Sequence, residues 1–275
     1  MRSDHRPDAA EHAKLTAQLS AAGFLSPDEE AGLLIAAAGG DAALLERMVA
    51  RRLSGEPLAW ITGGVRFCDV EIRVQPGVYM PRPWTEALAV VAAQRLRPRG
   101  LAIDCCTGCG AIARVLSLRH PRARIVATDI DARAVACARV NGVEALHSDL
   151  FDAVPDAFRG ATDVVVAVVP YVPTSELHHL QRDTLTFEST LAYDGGHEGT
   201  DVLLRVVSET TRFLRGGGTL LLEVGGAQDT LLAGPLAAAG FRHVSRIVDE
   251  DGDLRGLDAR YGGVPRNQKE RTTHA

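Results

Sequence analysis

Residues 101–131, LAIDCCTGCGAIARVLSLRHPRARIVATDID, constrain the fold more than any other stretch of the chain. An apolar run (101–103) ends at Asp104, and a turn of small residues, Thr107-Gly108-Cys109-Gly110, follows it. Residues 111–118 then have helical character, Pro121 comes after them, and a second apolar run (125–127) ends at Asp129. Strand, glycine turn, helix, strand and acid make half of a doubly wound α/β nucleotide fold. Gly108 and Gly110 let a ligand approach the backbone, because no Cβ intervenes. The free N–H groups opening the next helix point toward that ligand. Asp129, at the tip of the second strand, is placed to accept hydrogen bonds from ribose hydroxyls. The Gly108, Gly110, Ala113 spacing also suits a dinucleotide, but Asp104 separates the two possibilities. An acid at the first strand tip repels a pyrophosphate and suits the cationic end of S-adenosylmethionine.

A chain of 275 residues fits one large domain, or a small one and a medium one. The hydrophobic fraction of 46% supplies a core, and an aromatic fraction of 5% leaves Leu, Val and Ala to fill it. A net charge of -5 argues against a general nucleic-acid binder, which needs a basic face. No apolar run reaches the roughly 18 residues of a membrane span, and MRSDHRPDAAEHAK has no signal-peptide core. A cytoplasmic location is expected. Cys106-x-x-Cys109 has no second pair or His/Cys cluster to complete a zinc site, so no metal is expected. These cysteines read as small apolar residues in a tight turn beside a cofactor.

Residues 11–53 show helical spacing and almost no strand signal. Leu15, Leu19 and Ala22 form one stripe, Ser26-Pro27-Asp28-Glu29 starts a second helix, Gly39-Gly40-Asp41 breaks it, and 42–53 continues as a third. Gly63-Gly64 separates Trp60-Ile61 from 65–67, and 70–74 alternates apolar with charged, a hairpin signal. Pro76-Gly77 turns the chain, and Pro81-Arg82-Pro83 stiffens it before a helix at 85–96. The expected layout is a helical domain at 1–60, a hairpin linker at 61–82, a nucleotide-type domain at 83–261 and a disordered polar tail at 262–275.

Gly55-Glu56-Pro57-Leu58, the hairpin, Pro76-Gly77-Val78 and Pro81-Arg82-Pro83-x-Thr85-Glu86 occur in the order and spacing of one known family. Over most of its length, from about Leu33 to Arg260, the chain resembles the HemK/PrmC family, the glutamine-amide methyltransferases of peptide-release factors. The resemblance implies a Rossmann-like, seven-stranded methyltransferase domain using S-adenosylmethionine. By position, Asp104, Thr107, Gly108 and Gly110 would line the methionine end, Asp129 would hold the ribose, and Asp149-Leu150, after a third strand at 143–147, would bracket the adenine. Trp84 stands where the family usually has Glu, and an indole there could pack on a ligand or close the pocket.

The fourth strand, read as 163–169, runs into the decisive departure. The family carries Asn-Pro-Pro-Tyr, whereas this chain reads Val168-Val169-Pro170-Tyr171. A glutamine amide nitrogen is a poor nucleophile, because its lone pair is delocalised into the carbonyl. The resemblance implies that the Asn oxygen and the next backbone carbonyl accept the two amide hydrogens and hold the nitrogen for in-line attack. Val168 has no acceptor, and losing one such partner costs about 10²–10³ in rate. The family's Glu-Pro before the Asp-Gly-Gly turn is also altered, to Glu188-Ser189, ahead of Tyr193-Asp194-Gly195-Gly196-His197-Glu198-Gly199. A helix is then expected at 201–214, with Gly216-Gly217-Gly218 opening a strand at 219–224.

A preserved cofactor side and a changed acceptor side place Trp84, Val168, Pro170 and Tyr171 against the substrate. Among the nearby ionisable residues His178, His179, Asp183, Glu188, His197 and Glu198, a histidine is the natural base. Tyr171, His197 and Glu198 are the expected catalytic residues. Three functions compete: methyl transfer to an amine or hydroxyl of a metabolite, a non-methylating intramolecular displacement that closes a small nitrogen ring, and a non-catalytic binding subunit. A small-molecule substrate is favoured over a protein, with the N-terminal helices available to a partner protein.

Overall fold

The computed structural model describes residues 9–180 and 186–263. The tail from residue 264 and Asp183 lie outside the described residues. Three N-terminal helices, α1 (Ala9–Ala21), α2 (Pro27–Ala38) and α3 (Ala42–Leu53), pack around Leu19, Leu34 and Met48. Asp41 caps α3 by accepting from the Leu44 N–H at 2.9 Å. Ala22 is exposed and takes no part in that core, because α1 ends one residue before it.

Trp60 and Ile61 lie in a short helix, α4 (Leu58–Thr62), outside the hairpin. They link two cores, Ile61 packing with the N-terminal helices and Trp60 with the main domain. The hairpin itself joins β1 (Gly64–Phe67) to β2 (Val70–Arg73) through Cys68 and Asp69. Both turn residues have positive φ, 48° and 63°, the twist that a two-residue hairpin loop requires.

The main domain contains α5 (Glu86–Arg95), β3 (Leu101–Cys105), α6 (Ala111–Arg119), β4 (Arg124–Asp129), α7 (Ala132–Val140), β5 (Ala145–His147), β6 (Thr162–Ala167), α8 (Asp201–Thr210), β7 (Leu214–Glu223), α9 (Gln228–Ala238), β8 (Phe241–Val248) and β9 (Leu254–Tyr261). Its seven strands are ordered β5-β4-β3-β6-β7-β9-β8, and β9 runs antiparallel to both of its neighbours. This is the doubly wound, Rossmann-like sheet anticipated from residues 101–131. Helices α5, α6 and α7 cover one face, where Ala102, Ile125 and Val164 are buried. Helices α8 and α9 cover the other, over Ile103, Val126 and Val165. Every residue of β6 is buried, as a central parallel strand requires.

Several boundaries differ from the sequence reading. The strand expected at 163–169 stops at Ala167, where its pairing with Leu222 of β7 ends, so Val168 and Val169 leave the sheet. The helix expected at 201–214 ends at Thr210 because Leu214 already pairs with Thr162 in β7, and the glycine run lies inside that strand at a register irregularity. The third strand is confined to Ala145–His147, and residues 83–85 form a 3₁₀ turn ahead of α5.

Phe151 and Phe213, both fully buried, stack at 5.3 Å under the α8 face. Phe213→Ala is expected to destabilise the fold by about 3–5 kcal/mol, read as a lower urea midpoint with an unchanged slope.

Candidate functional site

The glycine turn, β4 and the segment after β6 meet beyond the carboxyl ends of the strands. A cleft of about 320 Å³ opens there, bordered by Gly108, Asp129, Val168, Pro170, Tyr171, Trp84, Arg82 and Tyr193, among others. A second compartment of about 260 Å³ shares Cys106, Asp129 and Pro170 with it and extends to Thr128, Asp149 and Leu150. A crevice of about 30 Å³ lies between Tyr79, Thr85, Asp104, Thr107 and Val168.

Asp104, at the end of β3, is buried and accepts hydrogen bonds from Thr107 Oγ1 at 2.6 Å and the Ala113 N–H at 3.0 Å. Burial pushes its carboxyl up to about 7, against the pull of those two donors. Asp129 accepts from the N–H groups of Gly108 at 2.8 Å and Asp131 at 2.9 Å, and burial raises it too. Gly108, at φ 56°, approaches the Tyr79 carbonyl. Among the described residues, neither Asp104 nor Asp129 has an ion-pair partner. Thr128, fully buried and bordering the second compartment, has its Oγ1 without a hydrogen-bond partner among them. Two acids without an ion-pair partner, an orphaned hydroxyl on the residue before Asp129 and an apolar slot at Ile130 and Leu150 fit S-adenosylmethionine.

Gly110 does not border these cavities. A Cβ there would stand 2.9 Å from that of Ala138, so this glycine serves the close packing of α6 on α7. Asp149 borders the second compartment while ion-paired to Arg205 at 3.0 Å, and Leu150 sits beside it with φ 44°. Trp84 is 40% exposed at the mouth of the cleft, with the Arg255 guanidinium 5.6 Å from its ring centre.

His197 and Glu198 are a correction to the sequence reading. Both are exposed and neither borders the cleft, because their turn packs backbone inward. A Cβ on Gly199 would stand 2.2 Å from the Tyr171 carbonyl oxygen, and one on Gly195 2.7 Å from the Tyr171 Cα. The side chains between these glycines therefore point to solvent. His178 and His179 are exposed on a 3₁₀ turn, their rings 3.9 Å apart.

Of the polar groups on the Tyr171 side, Glu188 was named from the sequence among nearby ionisable residues, and Arg82, Tyr193 and Glu223 were given no role. Arg82 donates from one nitrogen to Glu188 Oε1 and to the Tyr193 hydroxyl, both at 2.8 Å, and lies 5.1 Å from the Tyr79 ring. Tyr193 donates in turn to Glu188. Behind Tyr171 stands Glu223, buried at the end of β7, accepting from Thr85 Oγ1 at 2.5 Å and from the Tyr171 hydroxyl at 3.2 Å. Burial raises both the Glu223 carboxyl and the Tyr171 phenol. Pro81-Arg82-Pro83 and the acid ending an apolar strand at Glu223 were the available signals, but their partners lie over 100 positions away in sequence.

A family model described as the methyltransferase small domain matches residues 69–176. The release factor glutamine methyltransferase of Mycolicibacterium smegmatis is 33% identical over 256 residues, covering 85% of this chain and 88% of its own. That of Neisseria gonorrhoeae is 35% identical over 219 residues, covering 78% of each. Among solved structures, the T. thermophilus 16S rRNA N2 G1207 methyltransferase, in complex with AdoMet and guanosine, matches with a TM-score of 0.52 and 21% identity over 72% of this chain and 49% of that one. That last likeness is one of fold.

Because the Asp104 carboxyl is raised in the fold, the folded chain holds its proton more tightly than the unfolded chain. Its contribution to stability is complete below about pH 4 and is lost as pH rises through about 7. A cationic ligand favours the ionised form. Affinity for S-adenosylmethionine should climb by up to about tenfold per pH unit between about 5 and 7, then level off. Calorimetry across that range checks it, and Asp104→Asn should remove the slope.

Proposed function

The chain belongs to the family of release factor glutamine methyltransferases, and from that premise we propose that it methylates an amine or hydroxyl of a small molecule instead of a glutamine amide. The observation that carries this reading is the Val168 side chain on the cleft wall, at the position where the family resemblance implies an asparagine. An isopropyl group cannot accept an amide hydrogen, and an amide N–H left unpaired there costs about 1–3 kcal/mol. A neutral amine has a localised lone pair, and a hydroxyl has a single hydrogen. Neither needs the two-hydrogen clamp.

Tyr171 supplies a replacement contact. Its hydroxyl proton is committed to Glu223, which leaves the oxygen lone pairs free to accept from the acceptor's N–H or O–H. Glu223 is shielded from the cleft and acts through Tyr171. Pro170 stiffens the approach to Tyr171, and Gln228 Nε2 grips the Tyr171 carbonyl at 2.7 Å. S-adenosylmethionine, when bound, supplies an electrophilic methyl group on a sulfonium. The chain's own residues orient the nucleophile, and Trp84 and Val168 help to keep the mouth dry.

A second reading, methylation of a release-factor glutamine, is favoured by the names of the relatives and by the length over which they match. Under it, the N-terminal helices would hold the protein substrate. The ring-closing reading finds no support among these relatives. An assay with methyl-labelled S-adenosylmethionine separates the first two. No transfer to a Gly-Gly-Gln release factor is expected, while a panel of amines and hydroxyls yields an acceptor. Labelling of the release factor by the wild-type chain would establish the second reading. On the acceptor found, Tyr171→Phe should lower turnover by roughly tenfold or more through loss of an orienting contact. His197→Ala should leave turnover within about twofold, as an exposed side chain remote from the cleft predicts.

A further inference from the structure

Pairing between β3 and β6 ends at Cys105 and Ala167, so Cys106 and Val168 are the next residues on either side of the point where the two strands part. Cys106 borders each of the three cavities described above: the main cleft, the nucleoside compartment and the crevice beside Asp104. Its backbone is left-handed, at φ 57°, in a turn whose other left-handed positions, 108 and 110, are glycines. A side chain kept where only glycine is unstrained points to a use for that side chain.

We propose that Cys106 is a specificity-determining residue, a steric selector at the junction of the three cavities that limits which sulfur-bearing arms the nucleoside cofactor can carry through it. The inference rests on the S-adenosylmethionine reading of the cleft. An independent sign that a ligand completes this junction is Thr128 Oγ1, fully buried, bordering the nucleoside compartment that Cys106 also borders, and without a partner among the described residues. Cys106 works by bulk and not by nucleophilicity. Contact with the Cys105 thiol, burial and the nearby Asp129 and Asp104 carboxylates hold its thiol protonated. A ligand with its ribose at Asp129 and its cationic end at Asp104 would run past Cys106, which borders the cavities of both acids. A nucleoside with no amino-acid arm would not.

The test is calorimetry of S-adenosylhomocysteine and of 5′-methylthioadenosine, which lacks the amino-acid arm, on the wild-type chain and on Cys106→Gly and Cys106→Val. Glycine is at ease at this φ, so Cys106→Gly should fold, and its thermal midpoint verifies that. The expected result is S-adenosylhomocysteine bound roughly tenfold more tightly by Cys106→Gly and roughly tenfold more weakly by Cys106→Val, with 5′-methylthioadenosine changed by less than about threefold in both. S-adenosylhomocysteine affinity flat across the three proteins overturns the selector, as does an equal shift for both ligands, which would place the effect on the nucleoside. If neither ligand binds any of the three, the cofactor reading itself falls and the selector falls with it. A flat but measurable affinity leaves the cofactor reading standing.

Discussion

The pairing of β3 with β6 is the constraint on which the rest of the structure depends. The sheet grows outward from these two parallel strands in opposite directions, through β4 and β5 on one side and β7 on the other. Because each parallel connection crosses over in the same hand, the helices on the two sides cover opposite faces, and a crevice is left where the strands part. Asp104, Cys106 and Val168 come to one place for this reason alone. The acid belongs to the last paired residues of β3, and the other two stand just past the end of the ladder. The chemistry at the site is therefore set by how far the ladder runs.

The two ends of the sheet treat buried acids in opposite ways. At the amino end, Asp163 is tied by Arg97 at 2.6 Å, Arg215 at 2.5 Å and the Leu101 N–H at 3.1 Å, so its charge is compensated inside the protein. At the carboxyl end, Asp104 and Asp129 receive only neutral donors among the described residues, and burial raises both. A buried acid without a cation is costly to the fold. Asp104, buried at the crevice, and Asp129, half-buried on the cleft wall, favour a ligand that brings positive charge, which a sulfonium with an ammonium arm does. The same imbalance disfavours a dinucleotide pyrophosphate.

On the acceptor side the polar groups form closed pairs that hold geometry more than they offer charge. Arg82 is engaged by Glu188 and Tyr193, and Tyr193 packs edge-on against Tyr79 at 5.7 Å. The Val172–Asp194 bridge and the contact of Gly195 and Gly199 with Tyr171 lock the segment after β6 to the loop behind it. A change at Val168 is thus felt through a connected wall that includes Trp84 and Ser189.

Local sequence was enough to bring the glycine turn and its two flanking acids to one end of the sheet. Residues 101–131 contain strand, turn, helix, strand and both acids within one contiguous unit, so spacing alone placed Asp104, Gly108 and Asp129. Val168 was legible as a departure, because a motif is a short string. Tertiary structure decided the rest. Gly110 looked like a ligand contact but fills the gap between α6 and α7, since only packing reveals what a missing Cβ makes room for. His197 and Glu198 looked catalytic by residue type, but two flanking glycines turn their backbone inward and their side chains to solvent. Arg82 with Glu188 and Thr85 with Glu223 are separated by 106 and 138 residues, and no pattern along the chain brings them together. The left-handed backbone at Cys106 is likewise imposed by the strand-to-helix reversal between β3 and α6, where sterics disfavour any side chain, and not by the cysteine itself.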